Sequence, residues 1–209
     1  MPVSCPYGGD RNNRKDKIRL ADGGQSGTLS EMKITMIAAL DRNRVIGTGH
    51  GGLPWRLPRD VAQFRAYTRG KFLLLGRKTY GEMTGWFTDQ TPIVLSHRRD
   101  FSADGALVAH SIEEAVTEAF ERGSPELVVC GGAAVYAAAL PYADELRLTW
   151  VDTETTGQVT FPDFTVDHEW ETLFEERHEK DAENAHAMTF TVLRRVKPSS
   201  LRPGRLHYL

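Results

Sequence analysis

From residue 33 onward, short apolar runs alternate with amphipathic stretches, and the chain then closes on long runs with no helical stretch between them. The runs at 33–40, 72–75, 92–95 and 126–130 are interleaved with helix-like segments at 58–68, 78–83, 111–121 and 134–140; those at 145–152, 171–179 and 188–196 follow one another directly. A parallel neighbour requires a crossover long enough to hold a helix, whereas strands in direct succession can pair antiparallel. The pattern therefore predicts an α/β fold. It is a single domain with a central mixed sheet of about eight strands, mostly parallel with an antiparallel C-terminal edge, flanked by about four helices. Local signals punctuate it. Pro58 stands at a first helical position, where its missing N–H costs nothing, and Ser111-Ile112-Glu113-Glu114 is a capping box. Segment 41–57 reads as a long loop rich in glycine (Gly47, Gly49, Gly51, Gly52).

The ends differ from this body. Residues 1–31 carry charge, Gly and Asn without periodicity and read as a disordered extension, with Met32 a candidate true start. Residues 32–196 form the domain, and 197–209 a basic tail. The chain has 26 basic and 28 acidic residues, of which 1–31 hold five and four and 197–209 hold three and none, so the body carries a net charge of −6. An acidic body has no electrostatic footprint for nucleic acid or an anionic membrane. No apolar stretch reaches the length of a membrane span or follows the N-terminal charges as a secretory signal would. Cys5 and Cys130 match neither a disulfide framework nor a metal spacing. The expectation is a cytoplasmic monomer without metal.

Asp60 sits oddly for a helical acid. With Phe64 and Tyr67 it falls on one ridge (i, i+4, i+7) beside Val61, while Arg59, Gln63 and residues 65–69 supply the wet side. Such an acid is either a first-turn charge favouring the helix dipole or a carboxylate set in an apolar pocket for chemistry. Three strand ends carry groups suited to phosphate. Gly76-Arg77-Lys78-Thr79 joins free N–H groups to two cations, Gly131-Gly132 permits close backbone approach, and Ser96-His97-Arg98-Arg99 adds further positive charge. The glycine spacing is not that of the dinucleotide fingerprint. So many cations suit a nucleotide with several phosphates, NADP rather than NAD.

Taken together, Ile37-Ala38-Ala39, Val45-Ile46-Gly47, Leu53-Pro54-Trp55-Arg56-Leu57-Pro58-Arg59-Asp60, Gly76-Arg77-Lys78-Thr79, Cys130-Gly131-Gly132 with Val135-Tyr136, Leu148-Thr149 and Thr160-Phe161-Pro162-Asp163 resemble the dihydrofolate reductase family across residues 33–196. The resemblance implies NADPH-dependent reduction of 7,8-dihydrofolate to tetrahydrofolate for one-carbon metabolism, by hydride transfer to pterin C6 with protonation at N5. It assigns catalysis to Asp60, Thr149, Leu53 and Trp55. Asp60 binds the N3 and 2-amino edge of the pterin and helps order a water, too far from N5 to donate directly, while Thr149 bridges acid and pterin. Substrate contacts fall to Ile37, Phe64, Arg65, Met83, Phe87 and Cys130. The NADPH site comprises Ala39, Ile46 and Gly47 at the nicotinamide; Gly76, Arg77, Lys78, Thr79, Ser96 and His97 at the adenosine phosphate; and Gly131, Gly132, Ala133, Ala134, Val135 and Tyr136 at the pyrophosphate. Segment 47–52 corresponds to a mobile lid, one residue longer than in common bacterial members.

The departures bear on substrate identity. Gln90 stands where the family commonly has an Arg that pairs with the α-carboxylate of the folate glutamate. An amide in place of a bidentate guanidinium costs about 1.5–3 kcal/mol, or roughly ten- to a hundredfold in affinity. Arg65 is placed to compensate in part. Phe72 replaces a common Pro, Gln158 an Asp that steadies the lid, and Ala134 lacks the polar group some members carry. These departures leave open a second substrate, a dihydropterin without that carboxylate such as dihydromethanopterin. A non-catalytic NADP-binding sensor would be expected to have lost the acid, which this chain retains.

Overall fold

The computed structural model describes residues 32–49, 51–166 and 169–197. The expectations for 1–31, for His50 and for the tail beyond Lys197 lie outside the described residues. The elements run in the order β1 (Lys33–Leu40), β2 (Val45–Gly47), α1 (Pro58–Thr68), β3 (Phe72–Gly76), α2 (Arg77–Glu82), β4 (Thr91–Leu95), β5 (Leu107–Ala109), α3 (Ile112–Glu121), β6 (Glu126–Gly131), α4 (Ala133–Ala139), β7 (Glu145–Val151), β8 (Val159–Thr160), β9 (Trp170–His178) and β10 (Met188–Arg195). A 3-10 turn, Leu140–Tyr142, follows α4.

Eight strands form one sheet in the order β5-β4-β3-β6-β1-β7-β10-β9. Contacts from β5 to β7 are parallel, and β10 runs antiparallel to both β7 and β9. This is the expected mixed α/β sheet with four helices. Three strands went unread in the sequence. β5 is three residues long and too short for its alternation to stand out. β2 and β8, also brief, exist because they pair with each other antiparallel across more than a hundred residues of chain, which local pattern does not encode.

Side-chain alternation splits the core between the two faces of the sheet. On β1, Ile34, Met36, Ala38 and Leu40 face one layer with Leu74, Leu127 and Val129. Val116, Ala119, Val135 and Ala139 of α3 and α4 close it. On the other face Ile37, Leu73, Leu75, Val128 and Cys130 pack under Phe64, Tyr67, Tyr80 and Met83 of α1 and α2 and their margins.

The ends of the helices show how the two layers are held. Ser111 accepts from the backbone N–H of Glu114 at 3.1 Å, and the Glu114 carboxylate reaches back to the N–H of His110 at 2.7 Å, one residue further than the simple capping box. α1 has no local cap, since Leu57 offers no side-chain acceptor. Asn184, between β9 and β10, supplies its Oδ1 to the Arg59 N–H at 3.1 Å, and Asp181 pairs with the Arg59 guanidinium at 2.8 Å. One residue assigned to the wet side of α1 is buried: Thr68 is fully enclosed. Its hydroxyl donates to the Phe64 carbonyl one turn back, which satisfies its polarity and lets the methyl face the sheet.

Candidate active site

A cleft of about 1440 Å³ runs across the C-terminal ends of the parallel strands, where an open α/β sheet places ligands. Its course follows the strand order. Ile37 and Ala39 of β1 lie at one end, Gly131 and Gly132 after β6 come next, then Gly76 to Thr79 after β3, Ser96 and His97 after β4, and His110 and Ser111 after β5.

Asp60 stands at the β1 end. It lines the cleft together with Val61, Phe64 and Ala39 and with Trp55 and Leu57, the last three belonging to one buried apolar cluster. Burial raises its pKa above the ordinary aspartate value, and a hydrogen bond from the Thr149 hydroxyl works against that rise without cancelling it. Thr149 itself is buried on β7, opposite Ala39 of β1, so it lies behind the acid and not on the wall. The indole N–H of Trp55 is buried without a partner among the described residues. Leu53 is about half exposed at the cleft mouth.

Substrate-side residues mostly share that wall. Ile37, Phe64, Arg65, Met83 and Cys130 all line it. Cys130 is buried and the pKa of its thiol is raised by burial, so it acts as apolar surface. Phe87 does not line the wall: it stacks on Tyr80 with ring centroids 5.7 Å apart and packs inward against Leu73 and Leu75. Trp86, which the sequence did not single out, lines the cleft in its place, with the Arg65 guanidinium 4.7 Å over its ring. Gln90 turns its amide oxygen into its own loop, accepting from the N–H groups of Thr88 at 3.0 Å and Asp89 at 3.3 Å.

The remaining cleft fits a phosphate-bearing cofactor. Gly131 has φ 113, and a Cβ there would meet the Tyr136 ring at 3.1 Å; a Cβ on Gly132 would lie 3.1 Å from the Thr79 hydroxyl. Only glycine keeps this groove open between the starts of α2 and α4. The Gly131–Gly132 peptide is cis. The Tyr136 hydroxyl donates to the Ile37 carbonyl at 2.7 Å, tying α4 to the Asp60 end. Ala133, Ala134 and Val135 line the same groove, and the exposed Arg77, Lys78 and His97 border it with Ser96. Ala39, Ile46 and Gly47 border the Asp60 end. The glycine-rich segment crosses the mouth, where the N–H of Gly52 is held by the Glu82 carboxylate at 3.2 Å. Glu82 and Arg56, both on the wall, carried no recognisable sequence signal.

The comparisons agree with this arrangement. Residues 33–195 match the family model described as dihydrofolate reductase. A dihydrofolate reductase of Neisseria meningitidis serogroup B is 37% identical over 179 residues, covering 85% of this chain and 98% of the relative. Dihydrofolate reductase type 3 of Salmonella typhimurium is 35% identical over 166 residues, covering 79% and 100%. Among solved structures, the dihydrofolate reductase of Enterococcus faecalis complexed with NADP(H) and RAB-propyl superposes with a TM-score of 0.72 at 31% identity, covering 80% of this chain and 98% of that one. Since the match runs from the first strand of the sheet to the last instead of resting on one motif, the chain belongs to the dihydrofolate reductase family.

Proposed function

We propose that the chain reduces 7,8-dihydrofolate to 5,6,7,8-tetrahydrofolate, consuming one NADPH and one proton. The observation that carries this reading is the single cleft that joins a buried, Thr149-bonded acid at one end to a glycine-floored, cation-bordered groove at the other. Arg77, Lys78, Thr79, Ser96 and His97 and the Gly131–Tyr136 segment would hold NADPH, which would supply the hydride. Asp60 holds the amino edge of the pterin. Because burial keeps its proton to higher pH than an ordinary aspartate would, it biases the ring toward protonation at N5. Thr149 fixes the acid's orientation. Trp55 and Leu53 bound the reaction space, and the glycine-rich segment excludes water. In the same reading the enzyme is a cytoplasmic monomer without nucleic-acid or membrane partners. Its body is acidic, and no helix among the described residues is long and apolar enough to cross a membrane.

The relatives carry the name dihydrofolate reductase, which favours dihydrofolate over a dihydropterin lacking the glutamyl carboxylate. Arg65 on Trp86 is the cation nearest in kind to the one Gln90 no longer supplies. Steady-state kinetics with NADPH on both substrates test this, with dihydrofolate expected to give the higher kcat/KM. A dihydrofolate kcat/KM a hundredfold below that of the tail-less pterin would reverse the assignment.

A further inference from the structure

Beyond the phosphate-binding cations, the cleft continues to the β5 edge of the sheet and ends at a feature the reaction does not use. Leu95, Ile112 and Ala138 form an apolar slot there. Glu113, in the first turn of α3, and Tyr142, in the 3-10 turn after α4, close its end, with the Tyr142 hydroxyl donating to Glu113 Oε1 at 2.7 Å. With the reacting ring at Asp60 and the phosphates at Arg77, Lys78 and His97, the second base of a dinucleotide would fall in this slot. We propose that Glu113, oriented by Tyr142, recognises the exocyclic amine of that base, so that the enzyme selects a 6-amino purine over a 6-oxo purine. The inference rests on the NADPH reading above.

The chemistry is one-sided. The Tyr142 hydrogen bond, helped by Ser111 and opposed by partial burial, holds the Glu113 carboxyl below the ordinary glutamate value. The same bond pushes Tyr142 up to about 12, so the phenol remains a donor. Glu113 is thus an acceptor only under all working conditions. Tyr142 takes one of its oxygens, and the other keeps its lone pairs. An amino group at C6 presents hydrogens to that oxygen, whereas a carbonyl at C6 sets two acceptors against each other. Glu113 is exposed, so solvent screens the effect, and a preference of about fivefold is expected.

The test measures dissociation constants of NADPH and of its hypoxanthine analogue by quenching of tryptophan fluorescence. The proteins are the wild type, Glu113→Ala, Glu113→Gln and Tyr142→Phe. Each ratio compares two cofactors on one protein, so partial misfolding of a variant cancels. The wild type should favour NADPH about fivefold, Glu113→Ala should bring the ratio to about one, and Glu113→Gln, whose amide can donate to a carbonyl, should bring it to one or below. Tyr142→Phe should retain only part of the preference. A ratio unchanged in Glu113→Ala, or near one in the wild type, overturns the inference and leaves the pair as a brace between α3 and the turn. Tight binding of both cofactors without preference removes this inference alone; failure to bind either removes the NADPH reading with it.

Discussion

Asp60 bears two opposed costs. Its raised pKa means that it contributes stability fully below the unfolded value of 3.8, and that this contribution is lost as pH rises through the folded value. At neutral pH the carboxylate is therefore a destabilising group. Asp60→Asn should raise the urea midpoint at pH 7, lower kcat/KM for dihydrofolate by about a hundredfold, and change the NADPH dissociation constant less than twofold. Near-full turnover at pH 7 in that variant would remove the catalytic role. The place of Asp60 on the cleft wall with Phe64 was legible in the sequence because the two share a helical spacing. Positions 86 and 87 were less legible: two adjacent aromatics carry the same composition signal, and only the packing decides which one faces the cleft. Gln90 was legible as a substitution, while its turn back onto Thr88 and Asp89 was not.

Among the elements, the β2–β8 ladder adjoins the glycine-rich segment proposed as a lid, because β2 ends at Gly47, where that segment begins. Gly157, just before β8, lies so close that a Cβ would stand 2.4 Å from Val45 Cγ1 and 2.6 Å from the Gly47 carbonyl. Neither atom is the loose end of a flexible side chain, so Gly157→Ala must part the ladder, at a cost of about 1–3 kcal/mol. The expected outcome is a lower urea midpoint together with a KM for NADPH raised several-fold. A KM that stays at the wild-type value despite the loss of stability would show that the lid does not depend on this ladder. α1 teaches the same lesson from the other side. Its length was readable from Pro58 and its ridge, yet its N-terminal cap comes from Asn184, 125 residues away, a distance at which no spacing rule operates.

Across the whole molecule, Glu126 joins parts of the chain that build the substrate side. It accepts from Lys71 at 2.6 Å, Tyr67 at 2.6 Å and Thr35, thereby pinning the end of α1 and the approach to β3 onto β1 and β6. Burial pushes its pKa up, but these hydrogen bonds, led by that from Lys71, overcome the burial and hold it at about 2. A depressed value contributes stability above the unfolded 4.5 that is lost as pH falls toward 2. Glu126→Gln should therefore cost about 2–3 kcal/mol at pH 7, because Lys71 loses its charge partner, and the gap to wild type should shrink between pH 4.5 and 2. Urea titrations across that range provide the measurement; a gap independent of pH would mean that the ion pairing contributes nothing.

Periodicity, capping residues and glycine pairs act over a few residues. For that reason the amino-acid order alone was enough to specify the class of sheet, the span of α1 and the cap of α3, and to single out Asp60 and the glycine- and cation-bearing strand ends that line the cleft. Which of those segments share a cleft, that Thr149 stands behind Asp60 and that Glu113 meets Tyr142 were decided only by the tertiary arrangement. These are contacts between residues far apart in the chain, and their energy exists only once the parallel strands have brought their C-terminal ends into line.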